Sequence, residues 1–274
     1  MKEFSVTSEL SRANARTALV IAHPGHELMV HGWVKATKPI VFIFTDGSGH
    51  SNQSRLSSTA KVLEEAGSRT GHIYGRLTDR EAYSAIMHHE FAFFIQIARE
   101  LSKAFVDERM DYVVGDALEG YNPMHDVCRL TVNAAVALAR RANGSDVRNF
   151  QFSLVRPETA QHISSDSDGI CLALDDAEFA NKMAAANGYP ELATEVEAAV
   201  NRTSLAALRF EYLRPVNSNG SEQTSRLIPY YELYGEKQIA EGHYKTVLRY
   251  KEHIAPLADA LNEYTNQPYS VVAR

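Results

Sequence analysis

Three times in the first half of this 274-residue chain a short apolar run stops abruptly in a polar turn. Thr17–Ala22 runs into His23-Pro24-Gly25-His26-Glu27. Pro39–Phe44 runs into Thr45-Asp46-Gly47-Ser48-Gly49-His50, and Asp111–Gly115 into the long turn Asp116–Asp126. Short runs rich in Val, Ile and Phe read as strands buried on both faces. Between and after them lie segments with helical spacing. These are Glu27–Val34, Arg55–Ala66 closed by Gly67, Asp79–Val106 as one long or two broken helices, and an Ala-rich helix over Val127–Arg141. Strands alternating with helices restrict the chain to an α/β fold with a mostly parallel sheet covered on both faces.

The later sequence completes this pattern less regularly. His72–Tyr74 reads as a third, short strand; Phe150–Val155 and Ile170–Leu174 read as later ones, the last antiparallel. Asp175–Asn201 is helical in composition with a break at Gly188-Tyr189-Pro190, and Thr203–Tyr212 continues as helix towards Pro215 and the Asn217–Gly220 loop. Lys245–Tyr264 is helix-friendly, with Pro256 at a helix start or a kink. The reading is one α/β domain over residues 1–274, in which 175–274 form a helical insertion and C-terminal completion. Apolar content of 45%, charged content of 23% and a formal charge of −6 without a basic stripe argue against nucleic-acid binding. No apolar run approaches the roughly 20 residues that span a bilayer, so no membrane insertion is expected. The polar N-terminus lacks a signal region, and only Cys128 and Cys171 occur. Both points fit a cytoplasmic protein with free thiols.

In a doubly wound sheet the three polar turns lie on one edge and converge. They bring His23, His26, His50 and His125 together with Asp46, Asp116, Glu119 and Asp126. Three imidazoles with one open position are a catalytic zinc arrangement in which bound water loses a proton near neutral pH. The plain alternative is a His-Pro turn whose imidazoles bond the backbone.

The turn sequences narrow this further. Ala22-His23-Pro24-Gly25-His26-Glu27 resembles the Ala-His-Pro-Asp-Asp-Glu signature of the LmbE-like (PIG-L type) N-deacetylases. Gly120-Tyr121-Asn122-Pro123-Met124-His125 resembles their later Gly-Tyr-Gly-His-Pro-Asp-His segment, and the order of elements agrees over about the first 150 residues. The resemblance implies a Rossmann-like three-layer α/β/α fold and Zn²⁺-dependent hydrolysis of N-acetyl groups on sugar conjugates. It places His23 at the first zinc histidine, His125 at the last, and His26 at the zinc-binding aspartate. Glu27 matches the family's glutamate, with an implied role in orienting a ligand, and Tyr121 a tyrosine near the scissile carbonyl. Gly25 departs from the pattern, because it stands where the family carries its general base. Such assistance is typically worth about 10²- to 10⁴-fold.

Asp46 is the candidate substitute base, weighed against a cap on its own turn. Tyr121 is the candidate oxyanion donor, or an aromatic plug. Arg55, Asp116, Glu119 and Asn122 are candidate substrate contacts. Arg76 and Arg80 join Arg55 as candidate clamps for an acidic group, and Asp126 reads as a cap for the helix from Val127. His50 reads as a fourth ligand, a substrate contact or a surface residue; His88-His89 as a structural pair in mid-helix; and His253 as a proton donor only if its tract folds over the site. The tract Pro229–Glu236 suits a sugar-stacking wall, a core strand or the interface of a homo-oligomer. The expected function is zinc-dependent hydrolysis of an amide bond on an N-acylated sugar or similar small conjugate. Its rivals are a metal- and carbohydrate-binding protein that has lost hydrolysis, and a sugar-nucleotide enzyme using Asp46–Gly49 as a phosphate loop.

Overall fold

The structure is a computed structural model that describes residues 15–49, 51–144, 146–155, 169–202, 205–216 and 228–268. Seven strands form the sheet: β1 (Thr17–Ile21), β2 (Ile40–Thr45), β3 (Arg69–Leu77), β4 (Tyr112–Asp116), β5 (Arg148–Phe152), β6 (Ile170–Ala173) and β7 (Phe210–Pro215). Their spatial order is β3-β2-β1-β4-β5-β7-β6. The first five run parallel; β7 is antiparallel to β5, and β6 antiparallel to β7. The helices are α1 (His31–Thr37), α2 (Leu56–Ala66), α3 (Asp79–Met87), α4 (Phe91–Asp107) and α5 (Pro123–Asn143), then α6 (Asp176–Asn187), α7 (Ala193–Arg202), α8 (Tyr230–Ala240) and α9 (Ala255–Asn266). Among the described residues no helix is long and apolar enough to cross a membrane.

Strand residues of opposite parity feed two cores. Ala18, Val20, Phe42 and Phe44 pack with Ile97, Leu101, Val127 and Leu257 of α4, α5 and α9. Leu19, Ile21, Val41 and Ile43 pack with Trp33 and Leu63 of α1 and α2. Each Val, Leu, Ile or Phe among them contributes about 1.5–3 kcal/mol on full burial. Both faces are therefore apolar, which is why β1 and β2 look like unbroken hydrophobic runs rather than alternating ones. This is the Rossmann-like three-layer arrangement.

Where the sequence reading and the structure differ, the cause is tertiary. The third strand is nine residues long, not three. It is an edge strand with irregular register against β2, so exposure and Gly71 and Gly75 dilute its apolar signal. The stretch 79–106 is two helices, and His88-His89 sits at their break rather than in mid-helix: His88 closes α3, and His89 has φ +57°. Of the helix expected over 203–212, the described residues 205–212 form instead a single turn at Ala207–Arg209 followed by β7, which is recruited by pairing with β5 and β6. Pro229–Glu236 is not a strand; its tyrosines begin α8. Pro256 stands at the start of α9. The Asn217–Gly220 loop and His50 lie outside the described residues.

β1 connects to β2 on one side, and the chain later returns to β4 on its other side. The turns leaving the carboxyl ends of β1 and β4 therefore diverge and open a crevice, the usual ligand position in such a sheet.

Candidate metal centre

His23 leaves β1, His26 follows one tight turn later, and His125 stands in the first turn of α5 after β4. Their rings meet edge to face, with centroids 5.3 Å (His23–His26), 5.2 Å (His23–His125) and 4.6 Å (His26–His125) apart. His23 and His125 are each 7% exposed. A carboxylate fixes each of the first two imidazoles. His23 Nδ1 donates to Asp79 Oδ1 at 2.9 Å and also lies 2.7 Å from Thr45 Oγ1. His26 Nδ1 donates to Asp116 Oδ1 at 3.0 Å, and the other oxygen of Asp116 accepts the Ala22 N–H at 2.8 Å. With Nδ1 protonated, each ring keeps its lone pair on Nε2. His23 Nε2 and His125 Nδ1 are buried with no hydrogen-bond partner among the described residues.

This donor set suits a metal. Imidazoles whose second nitrogen is held by a carboxylate are the common surroundings of a zinc ligand, and the orphaned nitrogens lack the bond that a buried polar atom normally has. Burial, with the nearby His26 and His23, holds the His125 imidazole well below its usual pKa, in the neutral form that ligation requires. Burial opposes ionisation of Asp79, yet the hydrogen bonds from His23, Thr45 and the Gly49 N–H prevail and hold its carboxyl well below the usual range. As placed, the rings are neighbours rather than a closed cage. Among the described residues no group of three or more His, Cys, Asp or Glu side chains is arranged to hold an ion outright.

The space beside Gly25 is filled. Gly25 has φ +102°, and a Cβ built on it would lie 2.3 Å from Leu192 Cδ1. Leu192 belongs to a cluster with Leu28, Val62, Ala185, Ala186 and Tyr189, which seats the break between α6 and α7 over the turn. An apolar side chain from a distant segment thus occupies the space that a side chain at position 25 would enter. The described hydrogen bonds of Glu27 go to the turn backbone and to Tyr189 rather than to an imidazole. The side chain is fully buried, accepts the Gly25 N–H at 2.7 Å and takes a hydrogen bond from the Tyr189 hydroxyl. Burial is the main reason its pKa is raised.

Other candidates are engaged elsewhere. Asp46 accepts the Ser48 N–H at 3.0 Å, capping its own turn, and none of its described hydrogen bonds reaches a histidine. Asp116 holds His26 rather than standing free for a substrate hydroxyl. Glu119 ties the loop to the end of β5, accepting from Ser153 at 2.5 Å and from the Leu154 N–H at 2.9 Å. Asn122 is the N-cap of α5, bonding the Met124 N–H and the Tyr83 hydroxyl. Asp126 secures the loop through the Glu119 and Gly120 N–H groups rather than capping the helix. Tyr121 is 38% exposed and stacked on Tyr230 at 5.1 Å. Arg55 approaches Glu195 at 3.9 Å, Arg76 pairs with Glu100 at 2.6 Å, and Arg80 is exposed. His253 bonds within its own turn, accepting from the Arg249 N–H. Asp79, Thr59 and Tyr189 are the site residues that sequence reasoning passed over. Asp79 had a usable signal, since it follows directly on β3 once that strand is carried to Leu77.

No protein-family model and no curated protein matches the chain. Among solved structures it is similar to that of the antimicrobial reagent A40926 pseudoaglycone deacetylase, with 16% identity over 76% of this chain and 99% of that one, at a TM-score of 0.50. A deacetylase of the teicoplanin biosynthesis pathway matches at 13% identity, 76% and 100% coverage and TM-score 0.49. A conserved protein from Thermus thermophilus matches at 18%, 76% and 99%, and 0.48. At such identities the first likeness speaks for the fold alone, and it agrees with the α/β architecture described above.

Proposed function

We propose that the chain is a zinc-dependent hydrolase of an amide bond on an N-acylated amino sugar or similar small conjugate. The observation that carries this is the histidine triad at the sheet's switch point, with Asp79 and Asp116 fixing two of its rings and leaving His23 Nε2 without a partner among the described residues. His23, His26 and His125 would hold the metal. When bound there, zinc polarises a carbonyl and lowers the pKa of water. The chain's own contribution is orientation and exclusion. Asp79 and Asp116 keep two imidazoles in the ligating tautomer, and Leu192 supplies an apolar, water-excluding wall beside the turn. Asp46, through its second oxygen, and Tyr121 remain the groups proposed for proton transfer and oxyanion contact.

The Leu192 contact on Gly25 also favours a second reading, a metal- and carbohydrate-binding protein without hydrolysis, since among the described residues an apolar side chain, not a carboxylate, lies against Gly25. Protein purified without added zinc should contain stoichiometric metal, and His23→Ala should abolish it; unchanged content in that variant would remove the metal reading. Acid release from a panel of N-acyl amino sugars then separates the two functions. Release supports the hydrolase, while retained zinc and sugar binding without release supports the binder.

A further inference from the structure

A buried hydrogen-bond chain joins helix α2 to the histidine turn. Thr59 Oγ1 meets the Tyr189 hydroxyl, Tyr189 donates to Glu27 Oε1, and Glu27 Oε2 accepts the Gly25 N–H at 2.7 Å. Thr59 and Glu27 are fully buried and Tyr189 is 1% exposed. Counting protons fixes the direction. The Tyr189 hydroxyl donates to Glu27 Oε1, so its single proton is spent there and Thr59 donates its own to the phenol. Groups linked this way hold one another to one geometry, because removing any partner strands a buried polar atom.

The chain ends where the two turn histidines are set apart. Gly25 lies between His23 and His26 in a left-handed conformation that glycine enters and leaves at little cost, so its own chemistry does not select the observed angle. Glu27 holds its N–H at 2.7 Å, beside the turn's own backbone hydrogen bonds. Tyr189 reaches Glu27 from 162 residues downstream, and the same short segment places Leu192 on Gly25 and Glu191 on Ser58 at 2.9 Å. Two of the three contacts land on the turn itself.

We infer that Tyr189 is a positioning residue for the His23–His26 pair, setting through Glu27 the turn geometry on which metal uptake depends. This rests on the zinc reading. The variant Tyr189→Phe keeps the ring packed and removes only the hydroxyl. Chelator-treated protein is titrated with zinc against a chromophoric competitor, and separately with cobalt, whose visible spectrum reports ligand geometry. Tyr189→Phe should lower zinc affinity about 10- to 100-fold, the usual effect of losing an outer-shell partner, and alter the cobalt spectrum. Val62→Ala, in the same apolar cluster but outside the hydrogen-bond chain, should lower the melting temperature and leave both metal readouts unchanged. Should Tyr189→Phe fail to fold, Thr59→Val interrupts the same chain one step earlier and should shift zinc affinity in the same direction. Equal zinc affinity in wild type and the hydroxyl-deleted variant overturns the inference and leaves the metal reading standing. No zinc uptake by wild type overturns both.

Discussion

Adding one carbon at Gly25 should cost far more stability than a surface glycine would, and most of the excess should disappear when Leu192 is shortened. In Gly25→Ala the new Cβ would sit 2.3 Å from Leu192 Cδ1 and 3.6 Å from its Cγ, on a residue with φ +102°. Relaxed carbon–carbon contact is about 3.5–4.0 Å. The backbone strain is worth about 1–2 kcal/mol. Relieving the overlap in a packed cluster adds about 1–3 kcal/mol, so the single variant should lose roughly 3 kcal/mol from these two sources. Leu192→Ala alone leaves a cavity and should cost about 2–5 kcal/mol. In the double variant the overlap is gone and only the strain remains, so the pair should be about 1–3 kcal/mol more stable than the sum of the singles. Urea unfolding of the four chelator-treated proteins measures this coupling. A cycle additive to within about 0.5 kcal/mol would refute the reasoning. It would show that Leu192 yields freely and does not define the wall of the site. The functional corollary is that Gly25→Asp alone should not raise acid release from N-acyl sugars, whereas Gly25→Asp with Leu192→Ala should.

Asp116→Asn should weaken zinc binding about 10- to 100-fold, because an amide offers one acceptor oxygen where the carboxylate accepts from both His26 and the Ala22 N–H; competition titration checks this. The His31 imidazole is pushed down to about 4 by burial, with Lys182 and Lys35 adding to the effect. The unfolded chain, titrating near 6.5, takes up that proton first, so this contribution is intact above pH 6.5 and is lost as pH falls towards 4. It is of the order of 2 kcal/mol. Asp126, raised to about 7 chiefly by burial, acts in the opposite sense, its contribution being lost as pH rises through 7. The test is therefore the stability difference between wild type and His31→Gln measured from pH 7 to 4, which should narrow as the pH falls. Glu211 accepts from the Gly32 and Trp33 N–H groups and from Lys182 Nζ at 2.9 Å, all buried. Glu211→Leu should cost about 3–5 kcal/mol in urea unfolding, and adding Lys182→Met should recover part of it, because the stranded buried charge is then gone.

The sequence by itself determined the α/β alternation, the strands carrying His23 and the Asp116 turn, and the convergence of His26 and His125 with them. Those features are local: apolar runs, turn residues and helical periodicity act over a few positions and are written in order along the chain. The tertiary structure decided what each polar side chain is paired with. Asp116 and Glu119 look alike as carboxylates in one turn, yet the first holds His26 and the second staples the end of β5. Asp79 entered the site only because an irregular edge strand delivers it there, and β7 became a strand because two neighbours offered it hydrogen bonds. Least legible of all was the occupant of the space beside Gly25. Leu192 and Tyr189 lie more than 160 positions away, and side-chain volume and buried hydrogen bonds are satisfied by neighbours in space, which sequence order does not record.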